Sequence, residues 1–216
     1  RRGLLATTGA LSLAGVLAAC ADTGADGKAV ASSSASDADY DKAINSGPVA
    51  ADDVVAASPW AASVKQAKKL VTGGTKTSEV FSWEDSKTKK ISGFDAAIAQ
   101  ALARYIIGGD DARSLLEVQQ VTSETRETVL TNGTVKAVIA TYTITPERAK
   151  KIDFAGPYYA SSQAILVKAD NKDITGVDTL TGDVAVQSNS SSAAALKKYA
   201  PKATAKPFDT QAKCVA

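Results

Sequence analysis

Between Leu70 and Thr141 the chain alternates three short apolar, β-rich runs with two stretches of helical spacing, and few folds accept that order. Leu70-Val71-Thr72 predicts a buried strand ending at Gly73-Gly74, and residues 79–83 predict a loop or a second strand edge. Ser92-Gly93-Phe94-Asp95 reads as a turn in which Asp95 caps a helix over 96–107, where Ile98, Leu102 and Tyr105 or Ile106 recur on one face. Residues 115–121 predict a strand, and 123–131 a short helix stopped by Asn132-Gly133. Residues 135–141 predict a third, buried strand rich in β-branched side chains. Strand, helix, strand, helix, strand favours an open α/β sheet with right-handed crossovers. A second series follows, with strands at 163–167 and 184–186 and a helix over 190–199. No further strand is recognisable after Ala200, so the second lobe reads as incomplete and the chain as C-terminally truncated.

Upstream of this region the sequence has a different character. Arg1 and Arg2 precede a run without charge over 4–19, shorter than the roughly 20 apolar residues that a membrane-spanning helix needs. It matches a targeting signal. The two arginines are compatible with the remains of a twin-arginine signal, which leaves the export route open. Leu17-Ala18-Ala19-Cys20 looks like a lipobox, with Cys20 as the lipidated residue; the alternative is a plain secretory signal with an incidental Cys. Each buried methylene of a lipid contributes about 0.8 kcal/mol, so several chains would anchor the protein at the outer face of the cytoplasmic membrane. Residues 21–57 are Ala, Ser, Asp and Gly with few large apolar side chains, a composition that predicts a disordered tether. A helix over 59–69 then begins with Ser58 as cap and Pro59 at its first position. The resulting division is a signal at 1–19, a lipidated Cys and tether at 20–57, a first lobe at 58–160 and a partial second lobe at 161–216.

Without Arg1 and Arg2, 23 basic residues face 23 acidic ones, and no basic block stands out, which argues against nucleic acid as a partner. The absence of His, with two Cys in all, leaves no material for a zinc site or a Ser-His-Asp triad. No cofactor or metal is expected. In open α/β sheets ligands bind beyond the carboxyl ends of the strands, which directs attention to Thr141, Tyr142, Thr143 and, one helical turn on, Arg148. A guanidinium fork matches a carboxylate through two parallel hydrogen bonds. Taken by composition alone, Arg148 reads more readily as a surface residue paired with Glu147 or Asp153.

Gly93-Phe94-Asp95, Asn132-Gly133, the run 143–148 and Asp153-Phe154-Ala155-Gly156-Pro157-Tyr158-Tyr159 occur in one order. On these motifs the chain, from about Leu70 to Val215, resembles the family 3 solute-binding proteins of ABC amino-acid importers. The resemblance implies a type II periplasmic-binding-protein fold, in which two open α/β lobes enclose a cleft. It implies that Arg148 holds the ligand α-carboxylate, with Thr141 and Thr143 binding its ammonium and carboxylate. Ser190 and Ser191 would add hydroxyls from the second lobe; on their own they read as a helix cap or flexible loop.

Members that bind glutamate or aspartate resemble this chain in the Ser and Arg matching Ser123 and Arg126, which meet a distal carboxylate. The alternative for Arg126 is a surface pair with Glu127 or a cap of its own helix. Phe81, Trp83 and Lys76 are candidates to line the cleft, although aromatic residues of this kind more often belong to the core. Where the family often has Gly the chain has Asn189, which tolerates positive φ. Related glutamate binders pair a Cys near Val184 with one matching Cys214; the first is absent, which leaves Cys214 unpaired. Lys136 stands where the family often has Asp.

The function so implied is capture of a polar amino acid, glutamate before aspartate or glutamine, by a monomeric, lipid-anchored, non-enzymatic receptor that delivers it to an ABC permease. Two alternatives stay open: an enzyme on the same fold resembling cyclohexadienyl dehydratase, and a sensory lipoprotein without a transport role.

Overall fold

A computed structural model of the chain describes residues 36–216, so the expected signal, the candidate lipidation residue Cys20 and the first part of the expected tether lie outside the described residues. Among the described residues no helix is long and apolar enough to cross a membrane.

The tether expectation needs correcting over 36–57. Helices α1 (Asp37–Asn45) and α2 (Asp52–Ala56) form there, the first capped by Ser36, whose hydroxyl accepts the Asp39 N–H at 3.1 Å. Average composition hid the reason, because the few large apolar residues are well placed: Ile44 is 2% exposed and Val55 4%. Polar contacts add to them. The Tyr40 hydroxyl donates to Gln100 Oε1 at 2.8 Å and to the Gly93 carbonyl at 3.2 Å, while Arg113 stacks on the Tyr40 ring and pairs with Asp41. A segment that reads as low in hydrophobicity is thereby fastened to the first lobe.

Helix α3 (Pro59–Ala67) starts as its sequence predicts, with the Ser58 hydroxyl accepting the Ala61 N–H and Pro59 at the first turn. Strand β1 (Leu70–Gly74) follows, and its central position explains why it is apolar on both faces. It pairs in parallel with β5 (Leu116–Gln120) and with β6 (Ala137–Val138), giving the order β5-β1-β6. The predicted strand over 135–141 is thus shorter as a ladder, although Lys136 and Ile139 still donate to the Val71 and Gly73 carbonyls. Leu70, fully buried, packs with Val64, Ala103 and Ile106 in a core between the sheet and helices α3 and α4 (Phe94–Ile107). Between β1 and α4 the chain makes a small antiparallel sheet of β2 (Thr77–Ser78), β3 (Ser82–Glu84) and β4 (Ile91–Ser92).

Asp95 does not cap α4, contrary to its sequence reading. Gly93 is the N-cap, and the Phe94 and Ala96 N–H groups donate to the Val80 and Phe81 carbonyls, so a neighbouring loop closes the helix end. Gly93 sits at φ +115°, and a Cβ there would lie 2.6 Å from the Phe81 carbonyl carbon and oxygen. Gly93→Ala is therefore expected to cost about 1–3 kcal/mol or more in urea unfolding, through left-handed strain and a backbone clash. An unchanged midpoint would show that the loop yields.

Helix α5 (Arg126–Thr131) begins later than predicted, because the Thr122 hydroxyl holds the Glu124 and Thr125 N–H groups in a preceding turn. Helix α6 (Pro146–Ala149) opens behind Thr145. The expected strand at 163–167 is absent: these residues are exposed and no strand among the described residues pairs with them, and a strand forms only against a partner. In the second lobe β7 (Gly182–Gln187) pairs in parallel with β8 (Ala203–Phe208), the two joined by α7 (Ser192–Tyr199). Strand β8 was not legible because Lys206 and Pro207 interrupt its pattern, yet Pro is tolerated on an edge. The last element is α8 (Gln211–Val215), which carries Cys214 as a free thiol.

Candidate functional site

All three strands of the first sheet run in one direction, so the segments that follow them emerge along one edge. After β6 the last ladder bond is made by Ile139, and the chain turns sharply at Thr141, a β-branched residue with φ +48°. The turn is held from below by Asp95, which is 1% exposed. Its Oδ2 accepts the Thr141 N–H at 2.8 Å and its Oδ1 accepts the Tyr158 hydroxyl at 3.0 Å. Burial pushes the Asp95 carboxyl above its ordinary range, against the pull of those two donors.

Thr145 caps α6 by accepting the Arg148 N–H at 3.3 Å, which starts a helix one turn long and directs the Arg148 side chain back over the turn. The guanidinium is not paired with Glu147 or Asp153. It donates through Nη1 to the Thr143 carbonyl at 2.7 Å and through Nη2 to the Asn189 carbonyl at 2.9 Å. Asn189 follows β7 and adopts φ +54°, as its tolerance of positive φ allows. Beside it the Ser191 hydroxyl lies 3.3 Å from that of Thr143, and Gln163 donates to Ser191 at 3.4 Å. Arg148, Thr143 and Ser191 therefore converge, one lobe facing the other. Ser190 turns back instead, donating to the Gln187 carbonyl at 2.6 Å and receiving the Ser192 N–H at 3.2 Å.

Arg126 is buried, at 4% exposure, and neither pairs with Glu127 nor caps its helix. Its Nη1 donates to the Ala140 carbonyl at 3.1 Å, its Nε has no partner, and its guanidinium lies 3.8 Å from the centre of the Tyr142 ring. Arg148 lies 4.5 Å from the same ring centre. Two cations thus share one aromatic ring, a contact of about 2 kcal/mol when desolvated. Burial, reinforced by repulsion from Arg148 and opposed by Tyr142 and Glu127, pulls the Arg126 pKa down to about 10. Glu127 goes elsewhere: it accepts from Lys151 at 2.7 Å and from the Tyr142 hydroxyl at 3.3 Å.

A cavity of about 270 Å³ opens over this group, lined by Ser123, Glu124, Tyr142, Arg148, Lys151 and Asn189 among others. Ser123 and Arg148 both line it, whereas Arg126, Thr141, Thr143, Ser190 and Ser191 do not. The remaining sequence candidates stand apart from it. Lys76 pairs with Glu84 at 2.8 Å, Phe81 packs edge-on to Tyr159 at 5.4 Å, and Trp83 sits in β3 at 37% exposure. Sequence reasoning missed Asp95 as a tertiary acceptor and Tyr142 as the shared ring. The signal for Tyr142 was its place between two hydroxyl residues at a strand end.

Comparison with known proteins agrees with this architecture. The family model for bacterial extracellular solute-binding proteins, family 3, matches residues 70–210. The chain is 36% identical over 150 residues to a glutamine-binding protein of Geobacillus stearothermophilus, covering 69% of this chain and 56% of that protein. It is 31% identical over 150 residues to the glutamate-binding protein GluB of Corynebacterium efficiens, covering 67% and 50% respectively. The chain spans about half the length of the curated relatives it matches.

Among solved structures, the ancestral amino acid-binding protein AncCDT-1, a precursor of cyclohexadienyl dehydratase, superposes with a TM-score of 0.64 at 32% identity, covering 72% of this chain and 68% of that one. An ancestral arginine-binding protein bound to arginine gives 0.60 at 32% identity, covering 68% and 64%. The fold is that of the type II periplasmic amino-acid-binding proteins, and the named curated relatives are binding proteins rather than enzymes. The chain belongs to the bacterial extracellular solute-binding proteins, family 3.

Proposed function

We propose that this chain is the ligand-capturing part of an ABC amino-acid importer and that it takes a polar amino acid, glutamate before glutamine or aspartate. The observation that carries the reading is the reach of Arg148 from the first lobe to the Asn189 carbonyl of the second, beside the Thr143–Ser191 hydroxyl pair. A guanidinium fork that engages two carbonyl oxygens presents the same planar donors to a carboxylate. Closure of the two lobes around an amino acid would exchange those carbonyls for the ligand α-carboxylate, with the Thr143 and Ser191 hydroxyls adding to it and Thr141 serving the ammonium. Arg126, with an unpartnered Nε close to Arg148, supplies a second cation suited to a distal carboxylate, and Ser123 lines the cavity that Arg148 also lines. This favours glutamate, whereas relatives named for glutamine and for glutamate both occur.

Lipid anchoring through Cys20, monomeric behaviour and delivery to a membrane permease complete the proposal. A same-fold dehydratase is the second reading, prompted by the precursor role named for AncCDT-1. Calorimetric titration of the purified chain with the twenty amino acids tests the first reading. Saturable binding of glutamate or glutamine is expected; no heat with any amino acid, or product formed from prephenate, would sink it.

A further inference from the structure

We propose that Asp95 is a positioning residue of this site, fixing the turn at 140–143 that aims both arginines and tying it to Tyr158, in the crossing by which the chain leaves the first lobe (58–160) for the second. This role rests on the amino-acid-binding reading and adds a residue to it. Asp95 spends both carboxylate oxygens on groups distant in sequence, Thr141 at 2.8 Å and Tyr158 at 3.0 Å. It is free to do so because the first N–H groups of α4 are taken by the Val80 and Phe81 carbonyls.

The Thr141 contact is placed where it matters. Left-handed φ is disfavoured for a β-branched residue, and donation of that same residue's N–H to a buried, well-placed carboxyl oxygen offsets the strain. Each neighbouring peptide then serves an arginine: the Ala140 carbonyl accepts from Arg126, the Tyr142 ring meets both guanidiniums, and the Thr143 carbonyl accepts from Arg148. A rotation of the 140–143 peptides would misdirect all of them together. The other oxygen reaches the crossing, where Tyr158 and Tyr159 also pack on Phe94 with ring centres 6.1 and 5.5 Å away. Asp95 therefore binds both the turn and the crossing to the same helix end.

The test compares Asp95→Ala, Asp95→Asn and Tyr158→Phe in the whole chain, by amide exchange at Thr141 and by calorimetric affinity for glutamate and glutamine well below each melting point. In Asp95→Ala the Thr141 amide should exchange about tenfold faster and both affinities should fall about tenfold or more, with their order unchanged. Asn keeps an acceptor for Thr141 and offers an NH2 group to the Tyr158 oxygen, so it should restore both readouts to within about threefold of the parent. Tyr158→Phe should leave Thr141 protected and weaken binding by about threefold. Unchanged exchange and affinity in Asp95→Ala would overturn the role, as would an Asn variant as damaged as Ala, since charge rather than geometry would then be responsible. If Asp95→Ala does not fold, Asp95→Asn combined with Tyr158→Phe decides: Thr141 should stay protected, and an exposed Thr141 amide overturns the claim. A parent chain that binds no amino acid defeats the amino-acid reading, while exchange at Thr141 still decides the positioning role.

Discussion

Arg148→Ala abolishes measurable amino-acid binding or weakens it by about 2–5 kcal/mol, the cost of leaving a desolvated carboxylate without its partner. The expectation follows from the geometry: Arg148 is the residue whose two terminal nitrogens reach both lobes, at 2.7 and 2.9 Å. Lys at the same position keeps the charge but not the fork, so it should recover only part of the loss. Both variants should remain folded, because the guanidinium is half-buried and lies outside the core of the first lobe. Calorimetry with glutamate and glutamine checks the result. Wild-type affinity in Arg148→Ala would remove the α-carboxylate clamp from the proposal.

Arg126→Ala should act on selectivity. A hydrogen bond to a charged group contributes about 1.5–3 kcal/mol, so glutamate should lose about tenfold to a hundredfold in affinity relative to glutamine. The same change removes the partner of the Ala140 carbonyl and uncovers one contact of the Tyr142 ring, so some general weakening will accompany it. The ratio of the two affinities, measured in one titration series, separates these effects. Equal losses for both ligands would show that Arg126 supports the turn and reads no distal carboxylate.

How much of this was legible before the fold was known varies by residue. Strand β1, the Ser58-Pro59 helix start and the Asn132-Gly133 stop are local devices, and local chemistry announced them. The short helices over 37–56 were read as tether because their stability comes from Ile44, Val55 and Tyr40 reaching α4 and its neighbours, which no local average records. Asp95 failed for a similar reason: an Asp after Gly-Phe ahead of a helix is a good cap by sequence, but the Val80 and Phe81 carbonyls occupied the helix end first. The strand expected at 163–167 carried the right residues without a partner.

By itself the sequence determined an alternating α/β chain with no His, and it marked Arg148, Thr143 and Arg126 as residues with the chemistry to hold carboxylates. Spacing and side-chain type are enough for the α/β order, since helices, strands and their caps are set within a few residues, whereas the three residues were marked by the resemblance of their motifs to the family. Only the tertiary structure decided that Arg148 faces Asn189, that Arg126 lies buried against Tyr142, and that Asp95 grips Thr141 and Tyr158. Those contacts join residues 41, 16, 46 and 63 positions apart, and their partners are chosen by how the sheet edge and the crossing bring segments together, which no local pattern encodes.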